Sequence, residues 1–380
     1  MNVLHITGWY PNVWAPNESP FVQRHIKALE PLCGNAVWHI DVRPGKKWRL
    51  STKGPLADRT FLIGTKLQRW LILEWIATFL ILWAWITRNR SRPVDLINFH
   101  IAYPNCARIR LLKALIRRPM VITEHFSAYR VGFNSVSKGI DRIRRIFHAG
   151  VPVLVVSNAL RQDITRFAGP PTPHFHVVDN VVETDVFNGS GSTREEGRFF
   201  AIAGWRSPKR PDLLLDALAE LRANGRPARL RLAGTGPGSE AINNAIVKLG
   251  LDEYVDVLGH LEPNAVAEEM RRAHALLHAS DYETYSVVCA EALCCGTPVV
   301  ASNVGGIPEF LGEGMGVLVD ANTSEAWTKA LELHWDSLLN VDRALISSTM
   351  SARAGAPAVG QRYFEVLRTI VASPGGQVTG

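Results

Sequence analysis

Short apolar runs alternate with stretches of helical period along the whole 380-residue chain, and the alternation restarts once near its middle. Runs this apolar are buried on both faces. They specify parallel strands covered by helices, not half-exposed antiparallel ribbons. In the first half strands are predicted at 3–7, 37–42, 94–100, 120–123, 153–157 and 174–178, with helices such as 21–29, 106–117 and 140–148 between them. A segment from 180 to 198, with Gly189-Ser190-Gly191-Ser192 in it, reads as a linker. The pattern resumes with strands at 199–203, 229–233, 255–259, 275–278, 298–301 and 316–319. Helices are expected at 211–224, 238–249, 263–273, 286–295 and 324–338. A last amphipathic stretch, 359–371, follows a small-residue loop and is expected to pack back on the first domain.

The expectation is therefore α/β: two doubly wound Rossmann-like domains, 1–185 and 186–355, with 356–380 as a returning helix and tail. Chain length agrees, because one core seldom organises this many residues. Ligands of such sheets sit at the carboxyl ends of the strands, and two domains of this kind are expected to face each other across a cleft.

The net charge of +7 is unevenly spread. Residues 1–190 hold 25 Lys and Arg against 12 Asp and Glu, leaving 17 against 23 for the remainder. A basic first half suits an anionic partner such as a membrane surface or a lipid phosphate. No nucleic-acid recognition motif accompanies the charge, so no nucleic acid is expected. Cys33, Cys106, Cys289, Cys294 and Cys295 follow no metal pattern and read as buried reduced thiols of a cytoplasmic protein. The opening residues read as a first strand, not a charged leader. Between Trp70 and Thr87 the only charge is Glu74, four tryptophans crowd the run, and Lys66, Arg69, Arg88, Arg90 and Arg92 flank it. Such a segment suits a core helix with an over-apolar outer face, an in-plane interfacial helix, or a span. The strand pattern continuing on both sides disfavours the span.

The chemistry concentrates between Ala279 and Leu293. A strand ends near Ser280, a loop carries Glu283, and a helix starts around Ser286. Open N–H groups and a partial positive charge at a helix start suit a diphosphate, and Ser286 is expected to cap the helix. Glu291 lies further along among Ala290, Ala292 and Leu293, so it is expected to be partly buried and to need a hydroxyl-bearing partner. Ala233-Gly234-Thr235-Gly236-Pro237-Gly238 follows a strand and opens a helix, as a nucleotide loop or a simple tight turn would. His100 and His125 each end a predicted strand, where a ligand role and a structural role are both open. Glu124 stands beside His125 with the same two options.

The stretch from Glu283 to Glu309 resembles the signature of retaining glycosyltransferase family 4, whose fold is GT-B. The resemblance rests on the Glu-x7-Glu spacing of Glu283 and Glu291, the continuation Ala292-Leu293-Cys294-Cys295-Gly296-Thr297-Pro298, and Gly305-Gly306-Ile307-Pro308-Glu309. It implies that Glu283 holds donor-sugar hydroxyls and Glu291 the ribose, with Gly234, Gly236 and Glu309 near the donor. Backbone N–H groups of Thr284, Tyr285, Ser286 and Val287 would receive the diphosphate. Arg206 and Lys209 match the family's basic pair at shorter spacing, His125 its sugar-orienting histidine, and His100, Glu124 and Ser19 fall on the acceptor side. The family's usual loop glycine is replaced around Glu18-Ser19. No metal or other cofactor is expected, in keeping with the lack of an Asp-x-Asp pair.

The resulting expectation is a retaining, metal-independent transferase moving a sugar from a UDP- or GDP-linked donor to a glycan or lipid-linked acceptor in envelope polysaccharide or glycolipid assembly. It would be cytoplasmic or peripheral on the inner face of the membrane. A small soluble acceptor and a non-catalytic scaffold are the competing readings.

Overall fold

The computed structural model describes residues 1–12, 14–16, 18–42, 49–51, 57–63, 70–133, 139–191 and 193–373. Lys66 and Arg69, named above as flanking charges, lie outside the described residues, as do Ser192 of the predicted linker and the tail 374–380. The chain forms two compact units, Met1–Val181 with Ala356–Gly380, and Val182–Gly355. The sequence reading placed the boundary at 185/186.

Among the described residues the first unit holds eight strands: β1 (Asn2–Thr7), β2 (Gly34–Val42), β3 (Arg49–Ser51), β4 (Arg59–Ile63), β5 (Leu96–His100), β6 (Met120–Glu124), β7 (Val153–Val155) and β8 (Phe175–Val177). Their order is β3-β4-β2-β1-β5-β6-β7-β8. Every pairing is parallel except β3 with β4. The strand order reverses between β1 and β5, the position where such sheets open a crevice at their carboxyl ends. β3 and β4 were not anticipated. One apolar residue in β3 and three in β4, in a Lys- and Arg-rich stretch, make too short a run to register as a strand.

The second unit holds β9 (Arg198–Ile202), β10 (Arg229–Ala233), β11 (Val255–Gly259), β12 (Leu276–His278), β13 (Val299–Ser302) and β14 (Gly316–Val319). The order β11-β10-β9-β12-β13-β14 is parallel throughout and reverses between β9 and β12. Its core joins Phe199, Leu230 and Leu277 of the sheet to Leu214, Leu218, Trp327 and Trp335 of the covering helices.

Two stretches of the second unit depart from expectation. The segment after 180 is not a free linker: Val182 and Phe187 are buried, and Val182 N donates to Ala354 O at 2.9 Å. The small-residue loop before the last helix is itself largely helical, Arg343–Ala354, begun by Asp342 accepting from Leu345 N at 2.9 Å. Ile346, Met350 and Ala354 recur every four residues and are buried, so the run has an apolar stripe despite its serines.

The last helix, Ala356–Ala372, belongs to the first unit and packs on the helix Pro20–Leu29. Gly360 makes this close approach possible, since a Cβ there would sit 2.2 Å from Ala28 O. Tyr363 carries its hydroxyl into a polar centre between the helices and the sheet, accepting from Asn98 Nδ2 at 2.6 Å and lying 2.7 Å from Thr123 Oγ1.

Histidines fill the rest of that centre. His5 Nε2 donates to Asn35 Oδ1 at 2.9 Å, which leaves His5 Nδ1 to accept from His100 Nε2 at 3.1 Å. His25 Nε2 donates to Asp179 O at 2.9 Å. Burial pushes His5 and His25 each down to about 4, so both are neutral where an unfolded imidazole begins to charge. With the folded values lowered, the unfolded chain binds more protons between about pH 4 and 6.5, and stability falls as pH falls through that window. Each of the two contributes about 1.4 kcal/mol per pH unit there. Thermal unfolding followed from pH 7 to pH 5 is expected to show a steep decline that His5→Gln makes shallower; an unchanged slope in that variant would contradict the account.

Candidate active site

The loops at the β9/β12 reversal carry a cluster of ionisable side chains. β9 leads into residues 203–210 and β12 into 279–286. The two loops are stitched together by backbone bonds, Arg210 N to Ala279 O at 3.1 Å and Asp281 N to Pro208 O at 2.9 Å. Ser280 anchors the second loop from beneath, receiving Asn322 Nδ2 on its carbonyl at 3.0 Å and giving its N–H to Ser302 Oγ at 3.1 Å.

This scaffold brings Lys209 and Glu283 into a direct ion pair, the ammonium on Glu283 Oε1. His278, at the end of β12, donates from Nε2 to the same oxygen at 2.8 Å. Burial alone would raise the Glu283 carboxyl, but Lys209 and His278 outweigh it and hold it down to about 2. Burial, helped by the Lys209 charge, lowers His278, with Glu283 pulling the other way. The carboxylate is therefore charged at any working pH.

His278 was not among the residues singled out from the sequence. The signal was available, because it ends a predicted strand just as His100 and His125 do. Arg206 is exposed, and among the described residues no carboxylate pairs with it. Arg210, by contrast, is committed to Asp212 at 2.7 Å and Asp281 at 3.2 Å.

Ser286 does not cap the helix as expected. The helix runs Val287–Cys294, and Ser286 stands before it at φ 73°, a left-handed conformation that leaves its hydroxyl out of capping reach. That hydroxyl instead lies 3.2 Å from His278 Nε2 and 3.1 Å from Cys289 Sγ. A non-glycine residue held there costs about 1–2 kcal/mol, and strain of this kind gathers at ligand-binding turns. The N–H groups of Ser286 and Val287 meet no described acceptor, so the helix start stays open with Thr284 and Tyr285 leading into it. Glu291 is buried on this helix, one turn beyond Val287.

The glycines serve close packing around the same loops. A Cβ on Gly305 would fall 1.6 Å from Glu283 O, and one on Gly234 1.9 Å from Ala203 O. Gly236 likewise presses on the Trp205 backbone at 2.6 Å. Gly234 and Gly236 thus have a packing reason that stands without a ligand. Glu309 ends the short turn Ile307–Glu309, where its carbonyl accepts from Arg353 Nη1 at 2.7 Å. Cys289, Cys294 and Cys295 are buried free thiols, each pushed by burial up to about 12.

In the first unit, the residues assigned to the acceptor side separate by role. Glu124 is buried, with Oε1 accepting from the N–H groups of His125 and Phe126, both at 3.1 Å, and Oε2 from Ala102 N at 2.8 Å and Tyr129 Oη at 2.9 Å. Four donors occupy its oxygens, so it ties the loops after β5 and β6 together instead of facing a ligand. His100 is likewise spoken for at Nε2 by His5 and is fully buried. His125 differs. It is 7% exposed, tilted against the rings of His25 at 5.1 Å and Phe21 at 4.9 Å, and neither ring nitrogen makes a hydrogen bond. Asn180 lies near enough to act on it electrostatically without meeting hydrogen-bond geometry, and burial lowers the imidazole well below its usual range. Ser19 precedes the helix Pro20–Leu29 at φ 51°, so it adopts the backbone shape that a loop glycine would favour. Glu18, His39 and Asp41 of this unit have ligand atoms within 4.8 Å of one another, the one described group with metal-ligand spacing, and each has other partners.

Residues 184–337, within the second unit, match the sequence model of the family described as glycosyl transferases group 1. The second unit is a group 1 glycosyl transferase domain. The chain is 27% identical to an uncharacterized glycosyltransferase of Methanocaldococcus jannaschii over 64% of its own length and 66% of that protein's. It is 35% identical to a D-inositol 3-phosphate glycosyltransferase of Gordonia bronchialis over 33% of its length and 29% of that protein's. Both alignments therefore span less than two thirds of the relative. Among solved structures, the Anabaena protein HepE in complex with UDP matches at a TM-score of 0.73 and 16% identity, covering 97% of this chain and 100% of the other. The same protein has been solved with UDP-glucose. The fold is GT-B, two Rossmann-like units in one chain, as the resemblance implied.

Two substitutions test these placements. Glu124→Ala strands four buried donors and is expected to lower stability by about 3 kcal/mol or more in urea unfolding; a loss under about 1 kcal/mol would contradict its tying role. Gly305→Ala in the group 1 domain is expected to displace the Glu283 loop and lower stability by about 1–3 kcal/mol, read by urea unfolding, with the far-ultraviolet circular dichroism unchanged.

Proposed function

We propose that the chain is a retaining, metal-independent glycosyltransferase that takes its sugar from a UDP- or GDP-linked donor and passes it to a glycan or lipid-linked acceptor. The observation that carries this reading is the Lys209–Glu283–His278 cluster at the strand reversal of a group 1 domain, beside an open helix start. The relatives named as glycosyltransferases and the UDP and UDP-glucose complexes of the Anabaena protein support the same donor class.

The chemistry follows from charge. Breaking the bond from sugar to diphosphate leaves negative charge on the leaving group, and preorganised cations lower that barrier most. Lys209 and Arg206 supply it here, with the N–H groups of Ser286 and Val287 receiving phosphate oxygens. An ionised Glu283 accepts from two sugar hydroxyls while still sharing Lys209, and His278 keeps its carboxylate aimed. Glu291 accepts from the ribose. In the first unit His125 retains an orphaned buried N–H, whose cost a substrate oxygen would remove. No protein nucleophile is assigned. The acceptor hydroxyl attacks on the face the diphosphate leaves, and a phosphate oxygen takes its proton. Envelope glycan or glycolipid assembly at the cytoplasmic side of a membrane is the setting that fits the basic first half.

A thermal-shift screen of nucleotide sugars identifies the donor by stabilisation. With that donor, Glu283→Ala and Lys209→Ala are each expected to lower transfer about a hundredfold or more, and EDTA to leave it unchanged. Near-native rates in both variants, or loss of activity in EDTA, would overturn the assignment.

A further inference from the structure

The helix Trp70–Ser91 packs one side on β1, β2 and the helix Ile109–Ile116. Leu73, Ala77, Leu80, Ile81 and Ala84 are buried on that side. Glu74, the one charge of the apolar run, is buried too, accepting from Tyr103 Oη at 3.3 Å with Arg142 at 3.6 Å. The helix is thus built into the first unit, although its length and composition suffice to cross a membrane.

The opposite side should be polar if water were its only neighbour. It carries Ile72, Trp75, Phe79, Trp83 and Ile86, recurring every three or four residues, with Leu71 at its edge. Phe79 is 69% exposed and Trp75 51%. All six side chains are more than a third exposed on one side of a single helix, and apolar residues gathered in this way mark an interaction surface. Scattered apolar residues need no explanation, but an uninterrupted stripe does.

Cations border the stripe. The Arg108 guanidinium lies 3.8 Å over the Trp75 ring and that of Arg59 5.3 Å over Trp83. Arg88, Arg90 and Arg92 follow in the last turn and just beyond it. Indoles under guanidinium groups, around an aliphatic and phenyl centre, match the boundary between lipid headgroups and acyl chains.

We infer that this face lies in the plane of an anionic membrane, with Phe79 and Trp75 in the acyl boundary and the arginines on lipid phosphates. The Glu74–Tyr103 and Trp75–Arg108 contacts set the first turns of the helix beside the loop that follows His100. A lipid-linked acceptor would then present its headgroup next to the first unit's strand ends. The membrane face stands on these observations alone; only its link to an acceptor rests on the transferase reading.

Vesicle flotation of the full chain tests it, with phosphatidylcholine alone and with about 30% phosphatidylglycerol. Binding is expected to be at least about tenfold stronger to the anionic vesicles. Trp75→Glu with Phe79→Glu should abolish it while circular dichroism and donor hydrolysis are unchanged. Arg88→Gln, Arg90→Gln and Arg92→Gln together should remove the salt sensitivity, each charge being worth about fivefold. Undiminished flotation of the Trp75→Glu, Phe79→Glu variant would overturn the inference. So would absence of binding with a dimer by light scattering that this variant makes monomeric, since the stripe would then cover a second copy. Donor hydrolysis without flotation rejects the membrane face and leaves the donor site standing; flotation without hydrolysis does the reverse.

Discussion

Strands buried on both faces of a parallel sheet can carry almost no unpaired polar group, so the chemistry of this chain has to collect where the strands stop. Both sheets obey that constraint. In the second unit the ends of β9 and β12 deliver Lys209, His278 and Glu283 to one point. In the first, the ends of β5 and β6 deliver His100, Glu124 and His125. The reversal of strand order leaves room there, and the close-packed glycines Gly234 and Gly305 bring the loop backbones near enough to use it.

The two clusters resolve their burial differently. Glu283 stays ionised because a lysine and an imidazole converge on one oxygen, and a charge so held is ready for a ligand that competes for the lysine. Glu124 is satisfied entirely by N–H and O–H donors and has nothing left to offer. Burial lowers His5, His25, His100 and His125 in the first unit, and the first three each have a committed nitrogen. His125 alone of the four that stack or bond there, with His5, His25 and His100, makes no hydrogen bond at either nitrogen, which separates it from its structural neighbours.

Much of this was legible beforehand. Runs of Val, Ile and Leu bounded by turn residues placed most of the strands, and the Glu283-to-Glu309 stretch carried the family. β3 and β4 escaped because charge dilutes their short apolar runs. The helix Arg343–Ala354 escaped because serine and alanine obscure a stripe that only three residues define. His278 was passed over although its position obeyed the rule applied to the other two strand-end histidines.

The sequence by itself determined the alternation of strand and helix, the GT-B pair of domains and the Glu283-to-Glu309 motif, because periodicity and local turn chemistry are written in neighbouring residues. Only the tertiary structure decided which ionisable groups pair. Lys209 and Glu283 are 74 positions apart, and Tyr363 reaches Thr123 across 240. It also decided that Ser286 is a strained turn residue and not a cap, and that one side of an evenly apolar helix meets the core while the other meets solvent. Those outcomes depend on which surfaces the sheet order brings together, and no local pattern encodes that order.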